Sequence, residues 1–201
     1  MNLQNRIINQ FTDSIQTKQD ALGELCELIE LASQRMVAAL LNDRKILTCG
    51  NGRSATSAQL LSSALLNQFE RDRPSLPAIV LTADMTTMTA IANDYSYEEV
   101  FSKPIRSLGQ NGDVLVTYTD DNHSANIGKA ITIAHGKDIA IIALTGENNE
   151  DISALLTERD LEIRIPSNSA IRTHEVHVLI TNCLCDLIDH QLFDGMGWIV
   201  A

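Results

Sequence analysis

The stretch Lys45 to Ser54, KILTCGNGRS, decides the fold, because a short apolar run leads into a glycine turn and then into a helical pattern. This order of elements is typical of a βα unit in a parallel sheet. Gly50 and Gly52 let the backbone turn tightly, and Ser54 opens a helix whose unpaired N–H groups and positive dipole end favour an anion. The stretch has neither the G-x-G-x-x-G nor the G-K-[ST] spacing. It therefore predicts either an anion-binding loop or only a tight βα connection.

Four more apolar runs follow and alternate with helical patterns. Because these runs are continuously apolar, each strand is expected to be covered on both faces, as right-handed βαβ crossovers require. The sequence thus predicts an α/β fold, a three-layer αβα sandwich around a five-stranded parallel sheet. The predicted strands are 45–49, 77–81, 113–119, 138–144 and 161–165, and the predicted helices between and after them are 54–70, 84–92, 97–108, 123–135, 150–157 and 170–193.

A long helix is predicted before the first strand, because residues 3–41 contain no proline and their leucines and isoleucines recur at helical intervals. We divide the chain into an N-terminal helical segment used in oligomerisation (1–42), an α/β domain (43–195) and a C-terminal tail (196–201). The final helix carries apolar residues on more than one face, which favours a second packing surface or burial within the monomer.

Composition narrows the classes of function. The net charge of −11 argues against direct binding to nucleic acid. Four cysteines do not form a disulfide framework in a chain of 201 residues, and no run approaches the length that spans a bilayer. We expect a soluble cytoplasmic protein that contacts neither nucleic acid nor membrane.

The candidate site lies beyond the carboxyl ends of the strands, where doubly wound sheets bind ligands. It comprises the loops 50–54, 82–84, 119–124 and 145–148 and the start of the last helix.

Several segments together resemble the sugar isomerase (SIS) domain family and its phosphoheptose isomerase-like group. These are CGNGRS, RPSLPAIVL, TAIANDYSYEEVFSKPIRSLGQNGDVL, SANIGKAI and EIRIPS, in this order. The segments FTDSIQT and NCLCDLIDHQLF are most similar to the DiaA-like members, which bind the bacterial replication initiator DnaA. The resemblance implies a flavodoxin-like, doubly wound SIS domain with a long N-terminal helix, assembled as a homotetramer.

The resemblance also places four positions where heptose isomerases hold zinc and transfer protons. In this chain they are Leu60, Ala64, His174 and Asn182, and only His174 has a side chain suited to either task. We therefore predict no metal, no cofactor and no catalytic residue. His177 lies three residues after His174, and two helical histidines without a third ligand are more often capping or surface groups.

The turn after the third strand differs from the serine- and threonine-rich turn of the family, because Asp120 and Asp121 would repel a phosphate. We nevertheless expect a residual site that binds a sugar phosphate. Its residues are Gly50, Asn51, Gly52, Ser54, Thr119, Ser124 and Glu175.

Leu192 and Phe193 end the last helix before Gly195. They are predicted either to fold back as a hydrophobic cap or, as the DiaA-like resemblance implies, to bind a partner protein. The resulting hypothesis is a non-catalytic homotetrameric adaptor that gathers several DnaA molecules at the replication origin. The alternative is a sedoheptulose-7-phosphate isomerase or a sugar-phosphate-binding regulatory SIS protein.

Overall fold

A computed structural model describes residues 2–120 and 124–194, in which seven α-helices and five strands follow one another. The helices are α1 (Leu3–Leu41), α2 (Arg53–Leu66), α3 (Met85–Asp94), α4 (Ser102–Leu108), α5 (Ala125–His135), α6 (Glu150–Ser153) and α7 (Ala170–Phe193). The strands are β1 (Ile46–Gly50), β2 (Ala78–Val80), β3 (Val114–Tyr118), β4 (Ala140–Thr145) and β5 (Leu161–Arg164).

The five strands form one parallel sheet in the order β2-β1-β3-β4-β5. Gly50 at the end of β1 is in register with Tyr118 at the end of β3. The order reverses between β1 and β3, which is the switch point where such sheets bind ligands. The predicted α/β fold with a five-stranded parallel sheet and a long N-terminal helix is confirmed.

Each face of the sheet has its own apolar core, because successive strand residues point to opposite sides. Ile46, Val116 and Leu144 pack on the face that α1, α2 and α7 cover. Leu47 and Leu115 pack on the other face, against α4 and α5. Both faces of the sheet are therefore buried from solvent, which accounts for the continuous apolar runs in the sequence.

The predicted helix 97–108 is interrupted in the structure. A 3₁₀ turn, Tyr97–Glu99, precedes α4, and Val100 and Phe101 between them are fully buried in the second core. The Val100 amide donates to the Tyr97 carbonyl within the 3₁₀ turn, whereas the Ile105 amide donates to the Phe101 carbonyl in the pattern of α4, so two short elements replace the single predicted helix. The predicted helix 150–157 is likewise reduced to the single turn of α6.

A buried arginine joins the ends of α2 and α7. Arg73 donates from Nε to Asp189 Oδ1 at 2.8 Å, and its other nitrogens donate to the carbonyls of Ala64 at 2.7 Å and Leu65 at 2.8 Å. These carbonyls lie in the last turn of α2, where helical partners are lacking. One guanidinium therefore caps one helix and pairs with an acid on another.

The N-terminal helix α1 packs along α7, the last helix. Ser14 donates a hydrogen bond to Glu175 at 2.6 Å, and Gln191 donates one to Ser33 at 2.9 Å. The first half of α1 also exposes a row of large apolar side chains. They are Leu3, Ile7, Ile8, Phe11 and Ile15, each at least 55% exposed.

Candidate functional site

The loops after β1 and β3 lie side by side because the two strands are neighbours in register. In the first loop, a Cβ on Gly50 would come within 2.7 Å of the Ser54 carbonyl group, so glycine is required there. Gly52 has a φ of +54°, a conformation that side chains disfavour. The two glycines bring the start of α2 close to β1, and the tight turn that they predict is present.

An amide pair joins this loop to the start of α5. Asn51 and Asn126 exchange hydrogen bonds between their side chains, both at 2.8 Å, and the Tyr97 hydroxyl donates to Asn51 Oδ1 at 3.1 Å. Sequence reasoning included Asn51 but missed Asn126 and Tyr97. Both lie in the segments that carry the family resemblance, so that match was the signal that could have found them.

The three hydroxyl residues expected in the site, Ser54, Thr119 and Ser124, are all buried. Thr119 and Ser124 are buried, and their side-chain oxygens are 2.8 Å apart. Ser54 is 1% exposed, and its Oγ has no hydrogen-bond partner among the described residues. A buried hydroxyl without a hydrogen-bond partner costs free energy in a folded protein. The binding of a ligand that supplies this hydrogen bond is therefore favoured.

Opposite charges face each other across the two loops. Arg53, the first residue of α2, has its Nε 3.3 Å from Asp120 Oδ2, and the carboxylate is only 9% exposed. The predicted repulsion of phosphate by Asp120 is therefore offset by a cation that sequence reasoning left out. Asp121, the second acid of this turn, lies outside the described residues.

His177 lies beneath the crevice, where α7 crosses the end of β4. It is fully buried, with Nε2 3.4 Å from the Thr145 carbonyl oxygen and its ring edge-on to Tyr118. Burial lowers the pKa of His177 to about 3, so the ring is neutral and donates from Nε2. The opposite nitrogen, Nδ1, is buried without a partner among the described residues.

The neutral state of His177 predicts a loss of stability in mild acid. An unfolded histidine takes up a proton below about pH 6.5, whereas the folded one does so only near its lowered pKa of about 3. Between these values the unfolded state binds more protons, so stability falls as pH falls, by up to about 1.4 kcal/mol per unit. Urea unfolding at pH 7 and pH 5 measures this loss.

The matched variant is His177→Gln, which keeps a donor near the Nε2 position and cannot titrate. We expect its stability to change less than that of the wild type between the two pH values. Equal losses in both proteins would assign the acid sensitivity to other groups.

His174 lies one turn before His177. It is partly buried, and its Nδ1 is shielded from solvent without a hydrogen-bond partner among the described residues. Glu175, which was expected to meet a sugar hydroxyl, instead binds Arg172 through both carboxylate oxygens at 2.8 Å and accepts the bond from Ser14. It is thus engaged at the contact between α1 and α7.

The four positions that the family resemblance assigned to metal and proton transfer lie on α2 and α7. Leu60 is 37% exposed, and Ala64 is buried in the core. Across residues 2–120 and 124–194, no three histidine, cysteine or acidic side chains are grouped so that they could hold a metal ion. Leucine and alanine supply no ligand, so these residues do not fit a zinc centre.

Leu192 and Phe193 pack against the protein itself. Phe193 is 9% exposed, and the guanidinium groups of Arg71 and Arg73 each lie about 6 Å from the centre of its ring. Leu192 packs against the core beneath α1 and α7. This is the geometry of the hydrophobic cap given above as the alternative. The predicted helix stop at Gly195 and the tail 196–201 lie outside the described residues.

Comparison with known proteins identifies the class. The SIS domain model matches residues 10–146, and the chain belongs to the SIS domain family. A phosphoheptose isomerase of Chromohalobacter salexigens is 54% identical over 96% of this chain and 98% of its own length. One from Alkalilimnicola ehrlichii is 50% identical over 97% of this chain and its whole length. The structure of a phosphoheptose isomerase from Francisella tularensis superposes with a TM-score of 0.92 at 40% identity, over 94% of this chain and all of that one.

These relatives correct three predictions. The non-catalytic adaptor and the absence of enzymatic activity are wrong, because relatives at 50 to 54% identity over nearly the full chain are named as isomerases. The DnaA partner is also wrong, because the relatives that match nearly the whole chain are named phosphoheptose isomerases. The phosphoheptose isomerase-like group is confirmed, whereas its DiaA-like subdivision is not. In the described part of the chain, no helix is long and apolar enough to cross a membrane.

Proposed function

We propose that the protein is a sugar-phosphate isomerase of the phosphoheptose type, which interconverts an aldose and a ketose phosphate. The observation that carries this proposal is the 54% identity to a phosphoheptose isomerase over 96% of the chain. At such identity and coverage the fold, the crevice and the ligand class are expected to be shared.

The crevice has groups suited to a phosphorylated sugar. The start of α2 offers a positive dipole end, the buried Ser54 hydroxyl lacks a hydrogen-bond partner in residues 2–120 and 124–194, and Arg53 supplies a cation. The amides of Asn51 and Asn126 and the Tyr97 hydroxyl supply donors and acceptors for sugar hydroxyls. Together these groups support the expected residual sugar-phosphate site.

Proton transfer between adjacent carbons needs a base that accepts the proton from one carbon and returns it to the next. His174 is the candidate, because it is partly buried and its Nδ1 has no hydrogen-bond partner in the described part of the chain. An imidazole at this place accepts the proton from one carbon, which leaves an enediolate, and returns it to the neighbouring carbon on the same face, while the hydroxyl proton passes to the former carbonyl oxygen. No step is assigned to a metal, because Leu60 and Ala64 offer it no ligand.

The experiment is a direct assay of purified protein with sedoheptulose 7-phosphate. We expect conversion to the aldose phosphate, measured by NMR, at a rate that a chelator such as EDTA leaves unchanged. Absence of conversion at high protein concentration would contradict the proposal.

A second candidate is a regulatory protein that binds a sugar phosphate without converting it. Leu60 and Ala64 favour this candidate. They are apolar side chains at two positions where the family resemblance implies groups for metal binding and proton transfer. In the same samples, this candidate predicts a thermal shift with sedoheptulose 7-phosphate but no new NMR signals. The two candidates thus share a ligand and differ in turnover.

The apolar row on α1, Leu3 to Ile15, supports self-association through the N-terminal helical segment. Five large apolar side chains on one short stretch exceed what a monomer normally exposes. We expect purified protein to have a tetrameric mass by light scattering, and Ile8→Glu with Phe11→Glu to lower it. Wild-type protein with a monomeric mass would contradict this assembly.

A further inference from the structure

The ion pair between Arg53 and Asp120 bridges the two loops that an anionic ligand would contact. Arg53 begins α2 directly after Gly52, and Asp120 is the second residue after β3. Since β1 and β3 are neighbours in register, these two positions are brought together by the sheet. The pair is formed between two separate segments of the site rather than within one helix.

The two partners differ in mobility and environment. The Arg53 side chain is 49% exposed, whereas the Asp120 side chain is 9% exposed. A long, half-exposed arginine can change partner at little cost, while the buried carboxylate is confined to its loop. Arginine also binds phosphate through paired N–H donors. A phosphate dianion carries more negative charge than a carboxylate, so it attracts the guanidinium more strongly.

We infer that Arg53 is the cation that receives the phosphate of the ligand, and that Asp120 holds this side chain between the loops until an anion takes its place. The inference rests on the proposed function and adds a selecting step to it. An unphosphorylated sugar cannot replace the carboxylate, so it leaves the ion pair intact. The carboxylate thereby makes binding depend on a phosphate of full charge.

The helix start supplies a second, independent feature at this place. The Oγ of Ser54, adjacent to Arg53, is buried and lacks a hydrogen-bond partner among the described residues. A phosphate oxygen is an acceptor that would give this hydroxyl the hydrogen-bond partner that it lacks. The cation and the hydroxyl lie next to each other in sequence at one end of α2.

The test measures sedoheptulose 7-phosphate affinity by calorimetry for Arg53→Ala, Asp120→Asn and wild-type protein. We expect Arg53→Ala to weaken binding about tenfold, since it removes a charge-assisted contact. Asp120→Asn should tighten binding about threefold to tenfold, because the phosphate no longer competes with a carboxylate. Unphosphorylated sedoheptulose should show neither change.

The matched controls are Arg159→Ala and Asp138→Asn, which alter an exposed ion pair of the same two residue types with 3.7 Å between the charged atoms. They change net charge equally and should leave affinity unchanged. If the wild-type protein binds the ligand and the Arg53 and Asp120 variants change the affinity no more than these controls do, the inference alone is overturned. Absence of binding by every protein would overturn the proposed function as well, so the two failures are distinguishable.

Discussion

His174→Asn is expected to lower kcat for sugar-phosphate isomerisation by about 10² to 10⁴-fold, the range that general acid–base catalysis contributes. KM should change little, because the groups proposed to hold the phosphate lie on α2 and not on α7. The reason for so large an effect is that Leu60, Ala64 and Asn182 offer no other acid or base at the positions implied by the family resemblance. Steady-state kinetics followed by NMR measures both constants.

The matched control is His190→Asn, which removes a histidine near the exposed end of the same helix. Its ring contacts Asp194 and is 66% exposed, so activity should stay within twofold of the wild type, roughly the size of a surface substitution's effect. If His174→Asn retains kcat while it raises KM, the residue positions the ligand and another group moves the proton.

Arg73→Met is expected to destabilise the fold by about 3 to 5 kcal/mol, because it leaves the carboxylate of Asp189 buried without its cation. The side chains of this pair are only 1% and 7% exposed. The substitution also removes the donors that cap the Ala64 and Leu65 carbonyls at the end of α2. Urea unfolding at pH 7 measures the loss.

Arg71→Met is the matched control, because Arg71 lies close to the same ring of Phe193 but pairs with an exposed Asp194. It should cost less than about 1 kcal/mol, as exposed ion pairs do. Adding Asp189→Leu to Arg73→Met should recover part of the loss, since no unpaired charge remains. A loss for Arg73→Met no larger than that for Arg71→Met would show that the buried pair contributes little.

Much of the fold could be predicted because buried parallel strands have a distinct composition. The runs VLVTY and IAIIAL are apolar at nearly every position, which indicates strands that are covered on both faces of a sheet. The structure places these runs in β3 and β4. Helix ends were harder to predict. The break at Val100 and Phe101 depends on packing against the second core, which local periodicity does not contain.

The site was predicted less fully, because its decisive contacts join residues that are distant in sequence. The glycine loop and the hydroxyl groups were evident from the chain alone. The ion pair of Arg53 with Asp120 and the amide pair of Asn51 with Asn126 form only when β1 and β3 are aligned. Considered singly, Asp120 suggested only repulsion.

The functional prediction failed for a different reason. Leu60 and Ala64 supply no ligand for a zinc centre of the kind found in heptose isomerases. Their presence does not by itself exclude catalysis by the remaining His174. The partner-binding role of Leu192 and Phe193 stays a prediction, and the burial of Phe193 near Arg71 and Arg73 supports the hydrophobic cap as its alternative. Pattern alone did not separate a hydrophobic anchor from a helix cap.

The contact of α1 with α7 has a consequence for biosynthesis. The ribosome completes α1 first and α7 almost last, with more than a hundred residues between them. The apolar side of α1 therefore stays uncovered throughout translation of the sheet. Nascent chains should engage holding chaperones through this helix and become independent of them only upon release.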